Sequence, residues 1–107
     1  MLDYTAFGGP AGNHTDIAAY LEQVTSAVPG TQHTISTSLV VIDGDAAAAR
    51  TAGQVMMVSA GATGDDRVCF VGLWYRDLLV RTECGWRIRS RLQERGWMHN
   101  APPVEAC

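Results

Sequence analysis

The sequence contains no lysine, so its eight basic side chains are all arginines. Eleven acidic residues outnumber them, which gives a formal net charge of -3 and a pI near 5.4. Proteins that bind nucleic acid or anionic membranes through a general electrostatic attraction need a basic surface field. The charge balance therefore argues against both kinds of partner.

Cysteine is scarce as well. Cys69, Cys84 and Cys107 are odd in number and widely spaced, and they match neither a CxxC metal motif nor a disulfide framework. A reducing cytoplasm is the compartment that we expect. No basic-then-apolar leader precedes Leu2, and no apolar run approaches the roughly 20 residues that cross a bilayer. We therefore expect a protein that is neither exported nor embedded in a membrane.

Motifs for several kinds of chemistry are missing too. The sequence has no Gly-rich phosphate loop and no recognisable catalytic triad. Its three histidines, His14, His33 and His99, are too scattered to suggest a metal site. We expect neither a metal nor a cofactor.

What is present suits one folded domain. The chain is 47% hydrophobic and 18% charged, which is too apolar for a disordered protein. A length of 107 residues allows a single domain that buries roughly 60–70% of its unfolded surface. We divide it into a strand and a helix over 1–30, a four-stranded antiparallel meander over 31–98 and a tail over 99–107.

The segment "NHTDIAAYLEQVTSAVPG" predicts one amphipathic helix over about 15–27. Asn13 is the expected N-cap, and Pro29-Gly30 ends the helix. The apolar residues at helical spacing are Ile17, Tyr20, Leu21, Val24 and Val28. Ahead of the helix, "LDYTAF" indicates a short strand that ends in the breaker "GGPAGN".

The stretch from residue 33 to residue 61 predicts a first long hairpin. Its two extended runs meet at Asp43-Gly44, a dipeptide favoured in two-residue type I′ turns. Pairing outward from that turn sets Thr37 opposite Arg50 and His33 opposite Gln54, with Met56 beyond on the same face. The opposite face is more polar, so we expect His33 to look into the fold.

A second hairpin is predicted from Val68–Thr82 and Trp86 to about Trp97. A three-residue loop over 83–85 sets Asp77 opposite Arg91 and gives one apolar and one polar face. The same register pairs Leu78 with Ser90 and Val80 with Ile88. The predicted polar face carries Tyr75, Asp77, Arg81, Arg87, Arg89 and Arg91.

Such long strands raise a problem of coverage. Strands of about 12 residues span close to 40 Å, whereas a 13-residue helix covers only about 20 Å. The sheet must therefore curl around the helix, bury its remaining apolar face on another subunit, or belong to a fold with more helix ahead of Met1.

Nearly the whole chain resembles the SnoaL-like branch of the nuclear-transport-factor-2-like superfamily. The resemblance rests on the histidine of "TQHTIS", the "DGDAA" hairpin, the run Gly72, Tyr75, Asp77 and Arg81, and "GWRI" followed by Arg91 and Trp97. It implies a cone, in which a curved antiparallel sheet closes around an apolar pocket capped by N-terminal helices, commonly in dimers. The enzymes of that superfamily include polyketide cyclases, scytalone dehydratase, ketosteroid isomerase and a dehydrochlorinase.

One departure from this pattern bears on catalysis. Members usually begin with two helices ahead of the strand that resembles "LDYTAF", and the dehydratase and the dehydrochlorinase carry there the aspartate that orients the catalytic histidine. This chain begins at that strand. We expect either a true start upstream of Met1 or a pared-down relative, and in the chain as given the histidine lacks this carboxylate.

His33 is the candidate catalytic residue, because an imidazole with a pKa near 6.5 accepts a proton at neutral pH and the resemblance puts it where the general base lies. The alternative is a core histidine that is hydrogen-bonded to Gln54 or to backbone. The arginines either form a cross-strand ladder with Asp77 or a dimer contact, or Arg89 or Arg91 points into the cone and binds an anionic group. Further candidate substrate-binding residues are Thr37, Arg50, Gln54, Met56, Phe70 and Trp74, with plain core filling as the alternative for the methionine and the aromatics.

These observations and the resemblance predict an α+β domain with one helix and about five strands in a curved antiparallel sheet, an N-terminally truncated SnoaL-like fold. The expected function is a pocket for a small hydrophobic molecule, polyketide- or steroid-like, with His33 as the acid/base group of a cofactor-free lyase, isomerase or dehydratase. The alternative is a non-catalytic binding or dimerisation module. A homodimer is the expected assembly.

Overall fold

The computed structural model describes residues 1–26, 28–60 and 66–100, which form one helix and six strands. The elements are β1 (Leu2–Asp3), a 3-10 turn (Thr5–Phe7), β2 (Ala11–Gly12), α1 (His14–Ser26), β3 (Gly30–Asp43), β4 (Ala46–Ala60), β5 (Asp66–Thr82) and β6 (Gly85–His99). The strands make a single sheet in the order β2-β1-β6-β5-β4-β3. This confirms the predicted α+β fold with a curved sheet.

The N-terminal segment differs from the single strand predicted for "LDYTAF". Only Leu2–Asp3 is extended, and it pairs parallel to β6, while the other neighbouring strands of the sheet run antiparallel. The Asp3 carboxylate accepts hydrogen bonds from Thr5 N at 2.9 Å and Thr5 Oγ1 at 2.6 Å. These bonds turn the chain into the 3-10 turn and lower the pKa of Asp3. The second short strand, β2, brings the total to six.

The helix forms where its apolar spacing predicted it. Asn13 Oδ1 accepts a hydrogen bond from Asp16 N at 2.9 Å, which is the expected N-cap. Ile17 is almost fully buried. The main apolar cluster consists of Val55, Cys69, Val71, Leu73 and Tyr75, with Phe7, Met57 and Met98 packed against it. We call the side of the sheet that carries this cluster and α1 the helix face, and the other side the open face.

The strand pairing of the first hairpin is shifted by two residues from the predicted register. Its loop is Gly44-Asp45, with Gly44 at φ 61°, and Asp43 pairs with Ala46. A shift of two residues keeps every side chain on its predicted side. This part of the prediction is therefore wrong in its pairs and right in its faces.

A bulge in the middle of β3 changes the faces. Ile35 pairs with Gly53 and Ser38 with Thr51, so β3 has one residue more than β4 between these pairs. Because side chains alternate along a strand, the extra residue places the side chains of the first half of β3 on the face opposite to the one that uninterrupted alternation would give. His33 consequently pairs with Val55 and not with Gln54.

The second hairpin keeps the predicted register through its centre. Asp77 pairs with Arg91 and Leu78 with Ser90, as predicted. Arg89 is then an extra residue on β6, so Ile88 falls opposite Leu79 and not opposite Val80. The loop at the end of this hairpin is also shorter than predicted, since Thr82 and Gly85 pair with each other and Gly85 has φ 103°.

The polar and apolar faces of β5 are the reverse of the prediction. Tyr75 and Asp77 lie in the buried row, with relative exposures of 6% each, whereas Phe70 and Leu78 on the other side are 38% and 45% exposed. β5 carries apolar side chains on both sides, and α1 faces the row that contains Val71 and Leu73 across a pocket. In the described residues, no helix is both long and apolar enough to cross a membrane.

Gly96 allows β5 and β6 to approach closely at a second bulge, between the pairs Gly72–Trp97 and Leu73–Arg95. A Cβ at residue 96 would lie 2.7 Å from the carbonyl oxygen of Gly72. We expect Gly96→Ala to lower the free energy of unfolding by about 1–3 kcal/mol, because backbone must move to make room. Urea denaturation measures the change.

Gly30→Ala is the matched control. A Cβ there would meet Val58 at 3.7 Å, an ordinary contact distance, so the substitution should leave the stability within about 1 kcal/mol of the parent or raise it slightly. Equal losses in the two variants would show that the close approach at Gly96 does not set the spacing of the strands.

Candidate functional site

A pocket of about 230 Å³ lies between α1 and the helix face of the sheet. The helix lines it with Tyr20, Leu21 and Val24, which follow from the apolar stripe that also buries Ile17. The central strands contribute an apolar floor that includes Val55, Val71 and Leu73. The sheet thus supplies one wall and the amphipathic helix supplies the other.

His33 lines this pocket from β3, next to Thr31 two residues away on the same side of the strand. The residue as a whole remains exposed. Within the described residues its imidazole forms no hydrogen bond and no ion pair, so neither Gln54 nor a carboxylate holds the ring. Both ring nitrogens therefore remain available to a molecule in the pocket.

Arg91 and Asp77 form a bidentate ion pair beside the pocket. Arg91 Nε lies 2.8 Å from Asp77 Oδ1, and Arg91 Nη2 lies 2.9 Å from Asp77 Oδ2. Their side chains are 26% and 7% exposed. The hydrogen bond with Asp77 raises the pKa of the guanidinium, against the opposing effect of burial. The pair fixes the guanidinium group of Arg91, and Arg91 lines the pocket.

Tyr75 connects this ion pair to the apolar floor. The Arg91 Cζ atom lies 4.2 Å from the centroid of the Tyr75 ring, a cation–π contact. Burial raises the pKa of the Tyr75 phenol, and the neighbouring Tyr4 adds to this effect, while the positive charge of Arg91 and a hydrogen bond with Gln93 oppose it. The phenol therefore stays protonated throughout the neutral range and is able to donate a hydrogen bond.

Several predicted site residues lie elsewhere, because the bulge in β3 separates their side of β4 from His33. Thr37 is in the bulged segment, and Arg50, Gln54 and Met56 do not share a face with His33. The shared-face prediction is wrong for all four. The shared face was the only reason to expect these four residues in a site with His33.

The two aromatic candidates also lie on the open face. Phe70 is 38% exposed, and its ring contacts His99 with a centroid distance of 6.3 Å. Trp74 is half-buried beneath Arg50, whose Cζ lies 4.0 Å from the ring centroid. Neither lines the pocket that contains His33.

The arginines at positions 87, 89 and 91 separate instead of forming a continuous stripe. Arg91 reaches the pocket, Arg89 lines a different cavity of about 330 Å³ between α1 and β6, and Arg87 pairs opposite Val80. The cross-strand contact of Asp77 with Arg91 is confirmed, and it lies on the helix face and not on a solvated polar face. The bulge at Arg89 interrupts the two-residue alternation of the sequence.

Six polar lining residues escaped the sequence analysis as site candidates, namely Tyr4, Tyr20, Thr25, Thr31, Tyr75 and Gln93. Tyr20 had a visible signal, since it stands in the apolar stripe of α1 with a hydroxyl that a core position does not need. Tyr4 had none, because its position depends on the 3-10 turn. In the described residues, no group of three or more His, Cys, Asp or Glu side chains could hold a metal ion.

Comparison with known families identifies the fold. The family model of the SnoaL-like domain matches residues 1–92. This chain belongs to the SnoaL-like domain family. Solved structures that are similar to this SnoaL-like chain have the same fold.

Two mycobacterial relatives, both described as uncharacterized proteins, are Rv2910c of Mycobacterium tuberculosis and Mb2934c of Mycobacterium bovis. Each is 40% identical over 92 residues, which is 86% of this chain and 61% of the relative. The chain thus spans about three fifths of the length of the curated relatives that it matches.

Two solved structures are also similar. Kfla4162 of Kribbella flavida has a TM-score of 0.80 and 27% identity, with 92% of this chain and 70% of that chain covered. A putative scytalone dehydratase of Novosphingobium aromaticivorans has a TM-score of 0.76 and 17% identity, with 98% and 68% covered. At 17% identity the second likeness shows the fold alone.

The Asp77–Arg91 pair should be strongly coupled. A double-mutant cycle with Asp77→Asn and Arg91→Gln should give a coupling energy of at least about 1 kcal/mol, because Asp77 is buried and the pair is bidentate; the partial exposure of Arg91 keeps the value below that of a fully buried pair. Chemical denaturation of the four proteins measures it.

The pair Arg81–Asp45 provides a control of the same chemistry on the surface. Its atoms are 3.3 Å apart and its side chains are 54% and 84% exposed, so its coupling should be below about 0.5 kcal/mol. A coupling at Asp77–Arg91 that is no larger than this value would contradict the structural role of the pocket ion pair.

Proposed function

We propose that the pocket on the helix face binds a small hydrophobic molecule and that His33 transfers a proton within it. The proposal rests on one observation: among the described residues the His33 ring has no other partner, and it lines the same pocket as the Tyr75 phenol and the fixed guanidinium group of Arg91. The other lining residues are mixed: Phe7, Leu21, Val24, Val55, Met57, Val71 and Leu73 are apolar, while Tyr4, Tyr20, Thr25, Thr31 and Gln93 carry polar groups. Small-molecule sites typically combine an apolar lining with polar groups that orient the ligand.

The pocket volume narrows the choice of ligand. A volume of about 230 Å³ is below the roughly 300–1,000 Å³ of sites for drug-sized molecules. One or two fused rings fit inside, whereas a complete steroid would extend beyond the walls. A polyketide-like compound of one or two rings is therefore favoured over a steroid.

The reaction that these groups support best is proton abstraction next to a carbonyl. His33 accepts the proton from carbon, and the carbonyl oxygen gains negative charge as the C–H bond breaks. Arg91 and Tyr75 both donate hydrogen bonds and would stabilise that oxygen. Such a step begins isomerisations and dehydrations.

A second function, ligand binding without catalysis, is favoured by the partner of Asp77. This carboxylate is bound by Arg91 and is not hydrogen-bonded to His33. An imidazole without an orienting carboxylate is a weaker base, and its ring is held less firmly in one orientation. The pocket would then hold the same class of molecule unchanged.

Exchange of the acidic C–H protons of β-tetralone in D₂O tests the catalytic proposal. The protein should accelerate the exchange, followed by NMR, and His33→Ala should slow it by roughly 10²–10⁴-fold because the general base is removed. Circular dichroism and urea denaturation should show an intact fold. His99→Ala, whose histidine contacts Phe70 outside the pocket, is the matched control and should keep the parental rate.

Unchanged exchange in His33→Ala would remove His33 from the mechanism. Equilibrium binding of β-tetralone to the same variants then separates the two functions. A parental protein that binds the ketone without accelerating exchange would establish the non-catalytic module in place of the enzyme.

We also propose that the protein is a homodimer. Val40 and Ile42 are 52% and 62% exposed on the helix face near the end of the first hairpin, and a monomer would leave both apolar side chains in water. Sedimentation velocity should give twice the 11.5 kDa of one chain at micromolar concentration. Sedimentation at the mass of one chain throughout the micromolar range would contradict a dimer.

A further inference from the structure

The open face carries a groove of about 630 Å³. Of the described residues, Arg91 alone lines both this groove and the His33 pocket, and Asp3 also lines the groove. Two rows of paired residues cross the sheet side by side beneath it. The first row is Leu39, Arg50, Arg76 and Leu92, and the second is Val41, Ala48, Leu78 and Ser90. A pair of arginines therefore adjoins an apolar floor on a single face.

The positive charges of Arg50 and Arg76 are only half neutralised by a neighbouring carboxylate. Arg50 and Arg76 are directly opposite each other on β4 and β5, an arrangement that is unfavourable for like charges. Glu94 Oε1 lies 3.2 Å from the Nε atom of each. One carboxylate thus serves two guanidinium groups, and the cluster retains a surplus of one positive charge.

The geometry also leaves the outer nitrogens of both arginines available. Glu94 takes up the Nε atoms, and the Arg50 guanidinium lies against the Trp74 ring with Cζ 4.0 Å from the centroid. Among the described residues, no hydrogen bond forms from a terminal nitrogen of either arginine. The contacts with Glu94 and Trp74 hold the side chains, which remain 45% and 61% exposed for Arg50 and Arg76.

We propose that this groove binds an amphiphile with one anionic head group and a linear apolar tail. The head group would accept hydrogen bonds from the terminal nitrogens of Arg50 and Arg76 and neutralise the surplus charge. The tail would lie along Val41 and Leu78, which are 63% and 45% exposed. The site is independent of the proposed chemistry at His33.

Binding of the fluorescent probe dansylaminoundecanoate to the full chain tests the site. The carboxylate should bind in a saturable manner, and its uncharged methyl ester should bind at least fivefold more weakly. Arg76→Gln should weaken the carboxylate at least fivefold and leave the affinity of the ester unchanged, since it removes the contact with the head group alone. Arg76 is 61% exposed, so the fold should persist in the variant.

Adjacent residues on β3 supply a matched pair for the tail. Val41 and Ile42 are 63% and 62% exposed, but they point to opposite faces. Val41→Glu should abolish binding of the probe, whereas Ile42→Glu should keep its affinity within twofold. Equal losses in the two variants would overturn the proposal.

Two further outcomes would show that the probe binds in the His33 pocket or that a second copy of the chain covers the open face. Val24→Trp fills the His33 pocket; if it removes probe binding while Val41→Glu does not, the amphiphile binds on the helix face and the groove proposal is wrong. If the probe does not bind and Val41→Glu splits a parental dimer, a second copy covers the open face. A null result with His33→Ala bears on the proposed catalysis alone.

Discussion

The structure depends on the two-sided pairing of β5 combined with the burial of one of its rows. β5 pairs along its length with β4 on one edge and β6 on the other. Its row from Cys69 through Val71 and Leu73 to Tyr75 is buried against the helix side of the fold. Once that row is inward, hydrogen-bond register dictates which side chains of β4 and β6 reach the same side.

The polar end of the site is a continuation of the same buried row. Two residues beyond Tyr75 the alternation brings Asp77 inward, and a buried carboxylate requires a partner. Arg91 stands directly opposite and supplies two hydrogen bonds. The carboxylate that stabilises the guanidinium is for that reason not available to orient His33.

Local sequence signals predicted the elements well. The helix with its Asn13 cap, the two long hairpins and the contact of Asp77 with Arg91 all followed from spacing and turn residues. The family resemblance supplied the curvature and the pocket, and the family model matches residues 1–92. Regular spacing of apolar residues, with the turn residues between them, is enough to predict the helix and the hairpins.

The faces were harder, for two physical reasons. A bulge adds one residue and reverses the side of everything beyond it, and neither the segment around Thr37 nor Arg89 carries a composition that marks an extra residue. β5 is apolar on both sides, so the choice of the buried row depends on how α1 packs. His33 reached the pocket, while Gln54 and Met56, predicted beside it, lie on the far side.

The irregularity between Ile35 and Ser38 makes one strand serve two surfaces. Before it, His33 belongs to the pocket; after it, Leu39 belongs to the groove on the reverse side. Deleting a single codon within Ser36-Thr37 would straighten the ribbon and rotate the imidazole out of the cavity with no amino-acid replacement. In related chains, an insertion or deletion at this point would change in one step which side chains line the cavity, so chain length there would mark the difference.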